Sequence, residues 1–142
     1  MLEFANDTVL MTLFAVSFVA ATVVPGGSEL ALIAALHRAP GLLWPAIAVA
    51  TVGNTLGSMT SYWLGRLLPQ RMRHAAVARV RRHGYWILLL AWMPVIGDAL
   101  AVAAGWLRLN PWISMAALAA GKLARYLLVA GAWIGFEALL TR

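Results

Sequence analysis

The sequence predicts an all-α integral membrane protein, on two observations about composition and one about charge spacing. Hydrophobic residues make up 63% of the 142 residues and charged residues only 11%, whereas a soluble domain is about half apolar and about a quarter charged. The few charges leave long uncharged runs between them. At this length we expect one membrane domain over residues 1–142.

The uncharged runs predict which segments cross the bilayer. Residues 39–65 carry no charge, and they exceed the roughly 20 apolar residues that a spanning helix needs. Residues 84–97 and 99–107 are each too short to span, and Asp98 separates them. We therefore expect a re-entrant helical hairpin, which enters the membrane, turns near residues 94–97 and returns to the same side.

The N-terminal region is interpreted in the same way. Residues 8–24 and 30–36 form two apolar arms, with a turn at residues 25–28. Residues 8–28 alone could also cross the bilayer as a tilted span. Irregular backbone at membrane depth is tolerated only where protein buries it or water reaches it, so we expect both turns to lie in the protein interior.

The first turn has the sequence PGGSE, which places a carboxyl group inside an apolar run. Pro25, Gly26 and Gly27 are expected to break the helix, Ser28 to cap the returning arm, and Glu29 to face the interior. Free backbone N–H groups at a helix start favour an anion.

The two halves of the chain share this turn pattern, which suggests an inverted repeat. Each turn reads Pro-x-x-small-acid, from Pro25, Ser28 and Glu29 in the first and, 69 residues later, Pro94, Gly97 and Asp98 in the second. The predicted organisation is a first hairpin and transmembrane helix (1–66), a basic segment (67–84), and a second hairpin and last transmembrane helix (85–142). Many transporters form a midplane site from such inverted repeats.

The last predicted helix carries two bases well inside the membrane. Lys122 and Arg125 fall about 16–21 Å along a helix that starts at Pro111. Charges at the bilayer centre are costly and face a bundle interior, paired or solvated. The bases balance Glu29 and Asp98, so the four residues form either permanent ion pairs or a site whose acids exchange protons. Burial favours a neutral carboxyl group and a nearby cation favours a charged one, so the resting protonation stays open.

The helix of residues 39–65 has a small residue at every fourth position near its end: Gly53, Gly57, Ser61 and Gly65. Such a ridge allows close helix packing in lipid, within one chain or in a homo-oligomer. Three polar residues flank the ridge and are expected to hydrogen-bond across the contact: Asn54, Ser58 and Tyr62. For Asn54, simple helix packing is an equal alternative.

Six of the 11 Lys and Arg residues lie between Arg66 and Arg82. The positive-inside rule places this segment in the cytoplasm and, with one spanning helix on either side, both termini in the periplasm. Met72, Ala76 and Val80 form one helical stripe, so residues 71–83 are expected to lie on the membrane surface and to bind anionic lipid. Nucleic acid is not the expected partner.

The sequence provides little for metal or enzyme chemistry. There is no cysteine, and the three histidines lack metal-ligand spacing, so we expect neither a metal nor a cofactor. The PGGSE turn superficially resembles the Pro-Gly-x-Ser-Arg turn of polyprenyl diphosphate phosphatases. However, no arginine follows Ser28, and no histidine lies near either turn to act as nucleophile or acid. We therefore expect no enzymatic activity.

Four motifs together resemble the DedA family (the VTT or SNARE-associated domain family), in its short YqaA-like branch. They are PGGSE at 25–29, the glycine pattern from Gly53 to Arg66, WMPVIGD at 92–98, and Gly105 with GKLARY at 121–126. The resemblance implies two facing re-entrant hairpins in the bacterial inner membrane. It also implies dependence on the proton gradient and flipping of lipids such as undecaprenyl phosphate, with Glu29 as the motif acid.

The chain departs from the family pattern in its charges. An Arg-Phe-x-Pro-x-x-Arg pattern is usual at the second hairpin, where this chain has Ala91, Trp92 and Gly97. An acid often follows the second glycine of the long helix, where Ser58 stands. Lys122 and Arg125 are the conjectured replacement for the missing positive charge.

The leading functional hypothesis is a proton-coupled transporter of a phosphate-bearing lipid. Glu29 and Asp98 would exchange protons, Lys122 and Arg125 would receive the head group, and Arg66 would guide it at the cytoplasmic rim. The main alternative is a non-transporting envelope protein with static ion pairs. A cation or drug exporter is a further alternative.

Overall fold

A computed structural model describes residues 2–22, 26–69 and 75–141, and all regular structure in these ranges is helical. The α-helices are α1 (Leu2–Ala20), α2 (Gly27–Arg38), α3 (Leu43–Leu67), α4 (Ala75–His83), α5 (Ile96–Trp106) and α6 (Pro111–Leu140). Two segments are 3₁₀ helices: Pro40–Leu42, and Gly84–Trp92, called the 3₁₀ arm below. The all-α class is confirmed.

Three helical stretches in the described residues are long and apolar enough to cross a membrane: Glu3–Ala20, Pro40–Leu67 and Pro111–Leu140. The last two coincide with the predicted spanning helices. The first lies in the segment for which the sequence left a hairpin arm and a tilted span open, and its length and composition are compatible with either.

The helices pair into two hairpins around two long helices. α1 packs against α2, and the 3₁₀ arm packs against α5. α3 contacts α1 and α5, whereas α6 contacts the 3₁₀ arm, α2 and α3 itself. Each long helix therefore lies against parts of both hairpins.

The first hairpin turn ends at Gly26, whose φ of 91° is in the left-handed region that glycine adopts without strain. Gly26 is also the N-cap of α2, and no side chain caps this helix. The expectation that Ser28 caps the returning arm is therefore wrong. Because α2 already begins at Gly27, Ser28 lies inside its first turn, where its hydroxyl accepts a hydrogen bond from Arg125. Pro25 lies outside the described residues.

The second turn lies at residues 93–95 and is shorter than predicted. Pro94 is part of it, but α5 begins at Ile96, so Gly97 is a helical residue and not a turn residue. A Cβ atom on Gly97 would lie 2.9 Å from the carbonyl oxygen of Ala91, so the glycine here permits close contact between the two arms. Val95 has a φ of 70°, which is strained for a β-branched residue.

The first arm of the second hairpin is a nine-residue 3₁₀ helix, longer than such helices usually are. At about 2.0 Å per residue it reaches about 18 Å, whereas nine α-helical residues would reach about 14 Å. The tighter winding thus lets a short arm extend deeper into the bundle.

The predicted glycine ridge packs within the chain. A Cβ atom on Gly53 would lie 2.8 Å from the carbonyl oxygen of Phe14, and one on Gly57 would lie 2.5 Å from that of Phe18. A Cβ atom on Gly65 would collide with the backbone of Val102. The first two glycines therefore admit α1 and the third admits α5.

Helix α4 is amphipathic, as predicted, but its apolar side packs on protein. Ala76, Val77 and Val80 are buried, and α4 contacts α5 and the 3₁₀ arm. Three arginines of α4 are exposed: Arg79, Arg81 and Arg82. Met72 and the other residues from 70 to 74 lie outside the described residues.

Candidate functional site

The four charged residues of the predicted membrane region form two ion pairs, and α6 supplies the base of each pair. Lys122 Nζ lies 3.5 Å from Asp98 Oδ1, and Arg125 Nη1 lies 3.3 Å from Glu29 Oε1. The Lys122 side chain is 2% exposed and that of Asp98 30%. The sequence predicted that both bases face a bundle interior, paired or solvated, and in the structure both are buried and paired.

Helix geometry explains why these residues meet. Lys122 and Arg125 are three residues apart and so share one face of α6. Glu29 lies in the first turn of α2 and Asp98 in the first turn of α5. A helix N-terminus carries a partial positive charge that favours carboxylates. Each hairpin thus carries its acid directly after its turn, where the returning helix begins.

The Asp98 pair is part of a hydrogen-bond network that joins four helices. Ser58 Oγ donates to Asp98 Oδ1 at 2.8 Å. The Lys122 ammonium also donates to Asn54 Oδ1, and Asn54 Nδ2 donates to the Ser17 carbonyl oxygen at 3.0 Å. Asn54 therefore positions the lysine and links α1 to α6. These contacts favour a hydrogen-bonding role for Asn54 over simple helix packing.

The Glu29 pair lies in a separate cluster. Arg125 Nη2 donates to Ser28 Oγ at 3.3 Å and to the Tyr126 hydroxyl at 3.4 Å. The guanidinium carbon also lies 5.1 Å from the centre of the Tyr126 ring. Within the described residues, Glu29 Oε2 and Arg125 Nε are buried without a hydrogen-bond partner. This cluster consequently keeps free hydrogen-bonding capacity.

A cavity of about 260 Å³ lies between the two hairpin turns. The first hairpin contributes residues 20–22, and the second contributes Val95, Asp98, Ala99 and Val102. Ser61 of α3 completes the lining. Asp98 is the charged residue on this lining within the described part of the chain, so its carboxylate connects the buried lysine to an open space.

Tyr62 and Arg66 form a third polar group, nearer the end of α3. The Tyr62 hydroxyl donates to the Leu109 carbonyl oxygen and accepts from Arg66 Nη1 at 3.1 Å. The Arg66 guanidinium lies 5.5 Å from the Trp63 ring centre. The sequence analysis placed Arg66 at the cytoplasmic rim, apart from Lys122 and Arg125, and its partners in the structure are Tyr62 and Trp63.

A matched pattern in the two long helices escaped the sequence analysis. Residues 57–62 read GSMTSY and residues 121–126 read GKLARY, so glycine and tyrosine coincide, and Ser58 and Ser61 stand where the second pattern has Lys122 and Arg125. The two glycines also have the same use. A Cβ atom on Gly57 would meet Phe18 of α1, and one on Gly121 would lie 2.5 Å from the carbonyl oxygen of Leu89 in the 3₁₀ arm. A search for spaced matches, and not only for matched turns, would have found this signal.

The contributions of Ser61 and Val95 to the cavity also went unpredicted. Ser61 was interpreted only as a small residue of the ridge, and a valine gives no sequence signal for a left-handed backbone. Their place in the lining depends on where the two turns approach each other.

Known proteins give a clear relationship. The chain is 41% identical over 129 residues to the inner membrane protein YqaA of Escherichia coli, an alignment that covers 88% of this chain and 91% of that protein. The Shigella flexneri protein of the same name matches with the same identity and coverage. A Haemophilus influenzae protein described as uncharacterized is 38% identical over a 138-residue alignment that covers 87% of this chain and 87% of that protein.

No family model and no solved structure matches the chain. The relationship therefore rests on the named relatives, which are similar over nearly the whole length. YqaA is a member of the DedA family. The chain is a membrane protein that belongs to the DedA family, in its YqaA-like branch.

Proposed function

We propose that this protein is a proton-coupled transporter of the bacterial inner membrane that moves a phosphate-bearing lipid such as undecaprenyl phosphate. The observation that carries the proposal is the buried Lys122–Asp98 pair, whose acid opens onto a cavity between the two hairpin turns. A buried cation beside an acid that lines an open cavity is suited to exchange a proton for an anionic ligand.

In this proposal both hairpins are re-entrant. Gly57 adjoins the end of α1 and lies 14 residues after the start of α3 and 10 before its end, about 21 Å and about 15 Å along the axis. Arg125, which contacts the first turn of α2, lies 14 residues after the start of α6 and 15 before its end. Positions near the middle of both long helices support turns that lie near the membrane midplane.

The proposed orientation places α4 in the cytoplasm. Its exposed arginines follow the positive-inside rule, and we propose that they contact anionic lipid head groups at the membrane surface. With α3 and α6 crossing once each, both termini lie toward the periplasm. The relatives named as inner membrane proteins support this location.

The mechanism begins at Asp98. A proton that enters the cavity binds the carboxylate and leaves the Lys122 ammonium without its counter-ion. An unpaired buried charge is strongly unfavourable, on the order of 3–5 kcal/mol. A phosphate group that replaces the carboxylate as the partner of Lys122 removes this penalty, so proton binding favours lipid binding. Release of the proton restores the ion pair and expels the phosphate.

Glu29 and Arg125 form the second pair of the proposed mechanism, in which the acid binds the proton and the base binds the phosphate. The unbonded Glu29 Oε2 and Arg125 Nε leave room for a further hydrogen bond on each group. An arginine binds phosphate through two parallel N–H bonds. In the proposed cycle the head group passes from one base to the other, which lies one turn away on α6.

The proposed cycle uses the two halves of the chain as an inverted repeat. The matched 57–62 and 121–126 patterns support this symmetry, as does the way each long helix packs on both hairpins. Alternating access then consists of a rocking motion of one half against the other about a central site.

The test is transport by purified protein in proteoliposomes. A fluorescent undecaprenyl phosphate is followed from one leaflet to the other, with and without a pH gradient. The proposal predicts movement by the wild type that the gradient accelerates, and loss of movement in a folded Lys122→Gln variant. Wild-type protein that moves no lipid under either condition would overturn it.

Topology is tested separately by single-cysteine labelling, because the chain has no cysteine of its own. Glu3→Cys and Gly41→Cys should react with an impermeant reagent from the periplasm, and Arg82→Cys from the cytoplasm. If the first two positions reacted from opposite sides, the first hairpin would not be re-entrant.

The second candidate function is a non-transporting protein whose ion pairs are structural. It is favoured by the closed geometry, since both bases are already paired and almost completely buried. In that case neutralising one acid lowers the free energy of unfolding, and the wild type moves no lipid. The proteoliposome assay therefore separates the two functions.

A further inference from the structure

Besides the cavity between the hairpin turns, a groove lies on the outside of the bundle between α3 and α6. Its volume is about 340 Å³, and its lining is apolar: Leu56, Met59, Trp63, Pro111, Trp112 and Met115. The pairs Asp98–Lys122 and Glu29–Arg125 do not contribute to it. It is thus distinct from the cavity between the hairpin turns.

One end of this groove carries a cation. The Arg66 guanidinium stacks on Trp63, which lines the groove, at 5.5 Å from the ring centre. Arg66 is half-buried, and one of its nitrogens donates to the Tyr62 hydroxyl. Within the described part of the chain, Arg66 forms no ion pair with a carboxylate. Its positive charge is therefore available to an anion.

The two tryptophans indicate the depth of this end. Trp63 is 50% exposed and Trp112 is 73% exposed, near the last turn of α3 and in the first turn of α6. Tryptophan is enriched at the boundary between lipid tails and head groups. The groove therefore extends from head-group depth, beside Arg66, into the tail region.

We propose that this groove binds one anionic glycerophospholipid of the cytoplasmic leaflet, with the phosphate on Arg66 and an acyl chain along the apolar lining. Charge complementarity selects the anionic lipid, because an arginine recognises phosphate oxygens through two N–H groups. The ring of Trp63 fixes the guanidinium plane, so the donors are oriented before the lipid arrives. The inference does not rest on transport, but the choice of the cytoplasmic leaflet rests on the proposed orientation.

The test is lipid binding to the detergent-purified protein, measured by native mass spectrometry with phosphatidylglycerol and with phosphatidylcholine. The wild type should retain phosphatidylglycerol in preference. Arg66→Gln should weaken that binding by about tenfold, as expected for loss of a charge-assisted hydrogen bond. Arg66→Lys keeps the charge but lacks the paired donors. Its affinity for phosphatidylglycerol should therefore lie between those of the wild type and of Arg66→Gln.

Arg38→Gln is the matched control, because it removes one exposed arginine from the last turn of α2 and leaves the groove intact. An equal loss in this control would overturn the proposal, since binding would then follow net charge. Equal wild-type affinity for both lipids would overturn it as well. Met115→Trp fills the groove and should reduce retention of phosphatidylglycerol with Arg66 still present; unchanged retention in this folded variant would contradict the acyl-chain position.

The outcome is separable from the transport proposal. Asp98→Asn leaves the groove and Arg66 untouched, so a folded protein with this change should bind phosphatidylglycerol like the wild type. Loss of binding in that variant would contradict a separate groove site, whatever its transport activity.

Discussion

Removal of Asp98 is predicted to destabilise the protein more than removal of its partner Lys122. The Lys122 side chain is 2% exposed, whereas that of Asp98 is 30% exposed and lies on a cavity. Asp98→Asn therefore leaves an ammonium group in a dry interior, with Asn54 as its remaining hydrogen-bond partner. Lys122→Met leaves a carboxylate that lies on the open cavity and that Ser58 still binds.

The expected magnitudes follow from this difference in exposure. Breaking a fully buried pair by removing one partner costs about 3–5 kcal/mol, and solvent exposure of a partner reduces the effect toward the roughly 0–1 kcal/mol of surface pairs. We expect a loss of about 3 kcal/mol for Asp98→Asn, because the remaining charge is the buried one. We expect about 1 kcal/mol for Lys122→Met, because the remaining carboxylate lies on the open cavity and keeps its hydrogen bond from Ser58.

The double variant completes the cycle, since it removes both charges. It should lose about 2 kcal/mol, less than the sum of the single losses, because neither charge remains unpaired. Unfolding in mixed micelles, followed by tryptophan fluorescence, gives the three free energies. Equal losses in the two single variants, or strict additivity in the double, would refute the reasoning from exposure.

Three further changes test the packing and the turns, each by the same unfolding measurement. Gly57→Ala should cost about 1–3 kcal/mol by overpacking against α1, since its Cβ would lie 2.5 Å from a carbonyl oxygen. The control Gly131→Ala meets nothing within 4 Å and should stabilise α6 by about 0.5–1 kcal/mol; equal effects of these two changes would contradict the close approach. Val95→Gly should stabilise by about 1 kcal/mol by relieving the strained φ of 70°, and a loss of stability would show that the side chain matters more than the strain. Asn54→Leu should cost about 1–3 kcal/mol because it leaves the Lys122 ammonium with fewer buried partners, and an unchanged stability would argue against that role.

The long helices and their buried bases could be predicted because the signal is local. An uncharged run of sufficient length predicts α3, and a proline followed by apolar residues predicts the start of α6 at Pro111. The expense of a charge in hydrocarbon requires Lys122 and Arg125 to face inward. None of these inferences depends on which residues pack against the helix.

The pairing of the charges could not be predicted for the same reason. Charge balance requires two pairs, but Glu29 and Asp98 could each meet either base. The choice depends on how the hairpins approach α6, which is a tertiary property. The use of Asn54 as a ligand of Lys122 likewise depends on the contact between α3 and α6.

The turns were predicted in place but not in detail. Proline and glycine correctly marked both interruptions, yet each helix resumes earlier than expected, at Gly27 and Ile96. Both acids lie in the first turn of the returning helix, as the sequence predicted. The strained backbone of Val95 and the 3₁₀ form of the first arm have no sequence signal that we recognise.

The most direct test of proton coupling is the ratio of lipid flipping rates with and without a pH gradient in proteoliposomes. Three folded variants are compared, each with one acid changed to its amide: Glu29→Gln, Asp98→Asn and Glu137→Gln. Glu137 is the control, because it lies near the end of α6 beside His37, away from the hairpin turns. We predict that Glu137→Gln keeps the wild-type ratio and that the other two reduce it to one. An unchanged ratio in both Glu29→Gln and Asp98→Asn would contradict a coupling role for the hairpin acids.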